Sequence, residues 1–170
     1  MLYTGTCILH NAMNHTYFEN LGNEYLAHFS RRLSDLIIEQ ATTILQEAEI
    51  ITPATAISSI LFLANEENAT VATLADALDV SHQMATQRIN ALEKLALLKR
   101  IDNENDKRAK KIVLTALGNQ EAAKLLPLTK QLKHAFNNLE KELACDLAKV
   151  IRSAEKALIT QPLKDRAKDI

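Results

Sequence analysis

What this chain lacks narrows its class before any motif is read. Only three glycines and three prolines occur in 170 residues, with no tryptophan and 4% aromatic residues. Ala, Leu, Glu and Lys fill the places left, and that balance favours a mostly helical protein. Two cysteines, Cys7 and Cys145, are too few and too far apart for a disulfide scaffold, so a reducing cytoplasm is the default expectation. No Lys or Arg precedes Arg31, so a basic segment before an apolar run, as a secretion signal needs, is missing. No run of 18 apolar residues exists, which argues against a membrane partner. There is no Gly-rich phosphate loop, no Gly-x-Ser-x-Gly elbow, and the carboxylates are scattered at helix-surface spacing. An enzyme with catalytic residues therefore has little to stand on. The histidines His10, His15, His28, His82 and His134 include no i, i+4 pair and no Cys-x-x-Cys accompanies them, so neither a metal site nor a cofactor is expected.

With hydrophobic residues at 47% and charged ones at 24%, the chain is not disordered and can bury one good core in a single compact domain. Residues 1–16 show no periodic apolar face and read as a loose extension. Thr16-x-x-Glu19 resembles a capping box, and Leu26, Phe29, Leu33, Leu36, Ile37, Ile44 and Leu45 follow at helical spacing. A long helix is predicted from Tyr17 or Asn23 to Ala48, within a segment 17–50. Thr52-Pro53 reads as a helix start, threonine as cap and proline in the first turn, with Ile57, Ile60, Leu61 and Ala64 inward. Residues 65–69 form a polar break. Thr70 can cap a third helix carrying Leu74, Ala75 and Leu78, and Asp79-Val80 turns into a fourth, so that residues 51–118 run helix, turn, helix, hairpin.

The fourth helix is the centre of the chain. If Ser81 starts it, Ala85, Ile89 and Leu92 make an inward stripe. The opposite face carries Gln83, Thr86, Gln87, Asn90 and Lys94, short amide and hydroxyl groups where exposed faces usually hold Glu and Lys. Such a strip suits the base edges of a DNA major groove, and Ser81 and His82 in the first turn join it. It also fits an ordinary polar face. Two short apolar-containing runs, 98–101 and 110–114, then flank a polar loop, a hairpin signal. Over residues 81–111, Arg88, Lys94, Lys99, Arg100, Lys107, Arg108, Lys110 and Lys111 stand against Glu93, Asp102, Glu104 and Asp106, a balance of 8 − 4 = +4 in a chain of net charge −1. Concentrated positive charge beside a reading helix is suited to phosphates of double-stranded DNA.

Asp106-Lys107-Arg108-Ala109-Lys110 followed by Leu114-Thr115-x-x-Gly118 resembles the wing and wing exit of the multiple antibiotic resistance regulator (MarR) family. The upstream order Leu74-Ala75-x-x-Leu78-x-Val80-Ser81, then Leu92-Glu93-Lys94, is similar too, and the likeness spans roughly residues 21–160. It implies a mainly α winged helix-turn-helix with a short β-hairpin wing, and long N- and C-terminal helices forming a dimerisation region. It also implies a homodimeric, sequence-specific DNA-binding repressor on a pseudo-palindromic operator. Arg108 would enter the minor groove with Asp106 as its brace, a role that suits a rigid guanidinium in a narrow, electronegative groove. Two departures are visible. Leu95-Ala96 replaces the glycine that usually follows the reading helix, and because a left-handed Ala96 costs about 1 kcal/mol, a different turn is favoured there. Ser81-His82-Gln83 also differs from the usual Ser-x-Ser or Ser-x-Pro start.

After Gly118, Leu125, Leu128, Leu132, Phe136, Leu139, Leu143, Leu147, Val150, Ala154 and Leu158 form a sustained apolar seam through residues 119–160, before a tail at 161–170. Pro127 is expected to bend it and Asn137-Asn138 to divide it in two. The seam can pack on its own chain's core or on a second copy, and the second is favoured because a small reading domain has little surface left to cover. Cys145, inside the seam, reads as a small buried residue. The resemblance further implies release of DNA by a small aromatic or phenolic effector, for which Tyr25, His28, Phe29 and Arg32 either line a crevice or sit on the helix surface. Related alternatives are an oxidation-sensing regulator using Cys7, near Tyr3, Tyr17 and Tyr25 but without an adjacent cation to lower its pKa, and a partner-binding dimer that has lost DNA binding.

Overall fold

The computed structural model describes residues 20–103 and 109–168. Cys7, the Thr16 capping box and the wing-tip residues Asp106, Lys107 and Arg108 lie outside the described residues. The chain divides into two compact units, Met1–Thr55 and Ala56–Ile170.

In the first unit a 3-10 turn over Asn23–Tyr25 leads into helix α1, Leu26–Glu47. The helical spacing holds, but only Leu45 of α1 is buried; Leu26, Leu33 and Leu36 stand 58%, 38% and 50% exposed, an apolar stripe with nothing over it in a single chain. Thr52, which is buried, and Pro53 directly precede a 3-10 turn at Ala54–Ala56 that leads into the next helix.

The second unit begins with α2, Ile57–Leu63, whose buried face is Ser59, Ile60 and Leu63, with Ala56 preceding them. This face is rotated from the expected one: Ile57 and Leu61 are half-buried and Ala64 is exposed. Ser59 Oγ is buried without a hydrogen-bond partner among the described residues. Helix α3, Val71–Ala77, starts as expected at Thr70, whose hydroxyl accepts from Thr73 N while Thr73 Oγ1 accepts from Thr70 N. Helix α4, His82–Lys94, packs on α3 and buries Ala85, Ile89 and Leu92 completely. Strands β1, Leu98–Ile101, and β2, Lys111–Leu114, pair antiparallel with Leu98 opposite Leu114 and Ile101 opposite Lys111. Ile112 N donates to Ala69 O at 2.8 Å, which ties the hairpin to the loop before α3.

Helix α5, Ala116–Leu143, runs unbroken through Pro127 and through Asn137-Asn138, so neither divides it. The break comes at Ala144, and Asp146 caps α6, Leu147–Thr160, by accepting from Lys149 N at 2.8 Å. A short α7, Leu163–Arg166, follows. The proximal part of α5 packs on α2 and β2 and buries Ala122, Leu125 and Leu128. Glu121, also buried, receives Lys124 Nζ at 3.1 Å. Beyond Leu128 no residue of α5 or α6 is buried.

Scarcity of glycine has a visible consequence. Glu49, Asp79, Ala96 and Ala144 hold φ of 52°, 48°, 56° and 52°, and each ends a helix. The hydrogen bonds repeat: Ile50 N to Leu45 O, Val80 N to Ala75 O, Leu97 N to Leu92 O and Cys145 N to Glu140 O. These are the long bonds of the Schellman turn, where a left-handed residue lets the chain double back on the last carbonyls. Glycine takes that conformation without a Cβ clash, whereas other residues lose roughly 1–2 kcal/mol. Ala96 therefore adopts the left-handed cap that its side chain disfavours, because the cap drops Leu97 into the core, where it is completely buried beside Leu92.

The same turn anchors the next helix. Thr115 N donates to Leu97 O at 3.0 Å and Thr115 Oγ1 donates to Ala96 O at 2.7 Å, while that oxygen accepts Gly118 N at 3.1 Å as the N-cap of α5. A Cβ on Gly118 would lie 1.9 Å from the Leu97 carbonyl oxygen. The wing exit is thus clamped to the end of α4 by backbone contacts.

Two variants test this joint. Ala96→Gly should raise stability by about 1 kcal/mol, read as a Tm increase of roughly 2–4 °C in a thermal melt. Gly118→Ala should lose about 1–3 kcal/mol or more, since neither α5 nor the Leu97 carbonyl can move aside cheaply. An unchanged melting curve in either variant would contradict the arrangement.

Candidate nucleic-acid interface

Helix α4 presents the candidate surface. Ser81 Oγ accepts from Met84 N at 3.2 Å and fixes the start of the helix where the sequence places it. With Ala85, Ile89 and Leu92 turned inward, Gln83, Gln87, Asn90 and Lys94 are exposed and Thr86 half-buried, all on the outward side. Gln83, Gln87 and Lys94 have no side-chain partner among the described residues, so their donors and acceptors remain open. Thr86 differs. Its hydroxyl donates to His82 O at 2.8 Å, which leaves the oxygen able only to accept. His82 lies exposed in the first turn.

The charged residues around the helix are less open than their count suggests. Arg100, on β1, donates from Nη1 to Glu93 Oε2 and from Nη2 to Asn90 Oδ1, both at 2.6 Å. Lys110 pairs with Asp102 across the base of the hairpin, and the lysine's hydrogen bond and charge hold the Asp102 carboxyl below its ordinary range. Lys111 Nζ donates to Asn68 Oδ1 at 3.1 Å. Of the cations singled out by sequence and described, Arg88, Lys94 and Lys99 keep unengaged heads, whereas Arg100, Lys110 and Lys111 are engaged within the protein.

Met84, 45% exposed, was not among the sequence candidates. It sits one helical turn from Gln87 and Arg88, a spacing that could have identified it, and a thioether there suits the methyl group of a thymine. Lys99, counted with the basic residues of the hairpin, is exposed on β1.

The effector candidates Tyr25, His28, Phe29 and Arg32 all lie on or just before α1. The rings of His28 and Phe29 meet edge to face, 6.1 Å apart. Phe29 and Arg32 border an open groove along α1 with Leu33, Asp35, Leu36 and Glu39, which does not take in Tyr25 or His28. Cys145 is a free, exposed thiol, not the buried one expected, because the seam around it has no cover in a single chain. Among the described residues no group of three or more His, Cys, Asp or Glu side chains could hold a metal ion, and no helix is long and apolar enough to cross a membrane.

Residues 51–109 match the family model described as MarR family. Among solved structures, the fold is similar to that of MepR of S. aureus in complex with DNA, with a TM-score of 0.61 at 18% identity over 76% of this chain and 97% of that one. It is similar also to the transcriptional regulator MosR of M. tuberculosis in complex with DNA, at 0.60 and 19% over 77% and 96%. The heme sensor protein PefR of Streptococcus agalactiae, in complex with heme, gives 0.52 and 18% over 82% and 95%. No curated protein matches the chain.

Proposed function

We propose, for a chain whose residues 51–109 match the model of the MarR family, that it is a member of that family and a sequence-specific DNA-binding transcriptional regulator acting as a homodimeric repressor. The observation that carries this reading is the amide-rich strip of α4, exposed and largely unpartnered opposite a fully buried stripe. A helix so oriented can enter a major groove and match base edges through Gln83, Gln87 and Asn90, with Lys94 near a phosphate. The wing continues the contact into the minor groove through Arg108, the role the family resemblance implies. That MepR and MosR, alike in fold, were solved with DNA supports the same use here.

The pairing of two copies rests on uncovered apolar surface. Phe136, Leu143, Val150, Ile151, Leu158 and Ile159 of α5 and α6 stand 39%, 50%, 54%, 46%, 42% and 81% exposed. Apolar stripes of that extent are uncommon on a monomer in water, and a second copy of the same helices is their natural cover. Two-fold symmetry then places the reading helices about one DNA turn, ~34 Å, apart on a pseudo-palindromic site. A small aromatic or phenolic molecule binding beside α1, near Phe29 and Arg32, would relieve repression by favouring a spacing that no longer fits the site.

Fluorescence anisotropy with duplex DNA tests the DNA reading. Affinity should fall steeply with salt, Arg108→Ala should weaken binding about 5- to 100-fold, corresponding to ~1–3 kcal/mol, and Gln87→Ala should change which sequences are preferred. No duplex binding even at low salt would remove the proposal. Sedimentation tests the pairing: the wild type should run as a dimer and Val150→Asp with Leu143→Asp as a folded monomer. A monomeric wild type would exclude the symmetric site.

A further inference from the structure

We infer that Arg100 is a positioning residue that holds the Asn90 amide oxygen towards β1 and leaves its NH2 group to face outward, so that this position of the reading helix selects guanine and discriminates against adenine. The inference rests on the DNA-reading function proposed above and adds a base preference to it. A guanidinium carries donors and no acceptor, so the Asn90 atom facing Arg100 Nη2 at 2.6 Å is the amide oxygen, and the amide nitrogen is the atom left to turn outward. The second arm of the same fork is fixed on Glu93 at 2.6 Å, one turn along the helix from Asn90. Arg100 is therefore held at two points. It cannot follow the Asn90 side chain if that rotates.

An unrestrained asparagine reads adenine with both amide atoms, the nitrogen donating to N7 and the oxygen accepting from the N6 amino group. That coplanar pair needs both atoms on the base side. With the oxygen turned to β1, only the NH2 group reaches the groove, and the edge that best meets two donor hydrogens is guanine, with O6 and N7 side by side as acceptors. Glu93 also neutralises Arg100, which leaves this arginine a support for the reading surface and not a phosphate contact.

The test is selection from a random duplex library followed by anisotropy on the selected site. Asn90→Ala identifies the base pair that the residue reads, as the position whose preference is lost. At that pair the wild type should prefer G·C over A·T by about five- to tenfold. Replacing that guanine with 7-deazaguanine should weaken wild-type binding and leave Asn90→Ala unchanged. Arg100→Lys keeps the charge beside Glu93, but one ammonium cannot span both partners. This variant should lose the guanine preference or move it to adenine while the melting temperature changes little, a change of preference that a merely structural role would not produce. An adenine preference in the wild type, an unchanged preference in Arg100→Lys, or no position altered by Asn90→Ala would overturn the inference while leaving DNA binding intact. Failure of every duplex to bind at low salt would instead remove the function beneath it.

Discussion

The contact on which the second unit depends is the meeting of two short backbone segments, Ala96-Leu97 at the end of α4 and Thr115 to Gly118 at the start of α5. Two hydrogen bonds and the absence of a single Cβ join them, and a third, from Gly118 N to Thr115 Oγ1, starts α5 at the same threonine. Everything that must keep a fixed relation to the reading helix leaves from this joint: β1 begins directly after Leu97, β2 ends directly before Thr115, and α5 starts on the far side. A threonine is well suited here, since one hydroxyl donates to a carbonyl and accepts from an N–H at the same time. The strain at Ala96 is small beside the burial of Leu97 and Leu92 that the turn secures, each side chain contributing about 1.5–3 kcal/mol when withdrawn from water. That difference explains why a left-handed alanine is tolerated where glycine would be easier.

Around that joint, charge is organised more than accumulated. A net +4 over residues 81–111 suggests a field spread for phosphates, yet Arg100 and Lys110 are paired with Glu93 and Asp102 within the unit. Half-exposed pairs of this kind add little to stability, because water screens them and ordering long side chains opposes them. Their effect is geometric: Arg100 sets the direction of the Asn90 amide, and Lys110 braces the base of the hairpin. The open hydrogen-bonding groups of α4 are those of the uncharged Gln83 and Gln87, beside the unengaged head of Lys94.

The apolar surface divides by purpose as well. The proximal part of α5, which packs on α2 and β2, buries Leu125 and Leu128, and beyond Leu128 the same periodicity continues with no residue buried. The pattern in sequence is uniform across both parts. A seam of leucines specifies that something apolar lies against it and does not say whether that surface belongs to the same chain.

Local chemistry was therefore legible from residue order. Helix starts at Thr70 and Ser81 follow from side-chain oxygens that can reach an amide three residues on, whereas the cap at Thr115 was read only as part of the wing exit. The inward stripe of α4 follows from helical periodicity, and the hairpin from two apolar runs flanking a polar loop. The family likeness, carried by the wing exit and the Leu74-Ala75 helix, gave the order of elements its meaning. Sequence failed where a residue's conformation is set by something distant along the chain. Ala96 argued for another turn until the core claimed Leu97; Asn137-Asn138 looked like a break but sits within an unbroken helix; and Cys145 looked buried but is exposed. Composition and spacing by themselves determined a helical chain with one amide-lined helix beside a basic hairpin, because those features arise from neighbours three or four residues apart. Only the tertiary structure decided which cations are already paired, which way the Asn90 amide points and which part of the leucine seam stays uncovered, because each depends on groups that folding alone brings within a few ångströms.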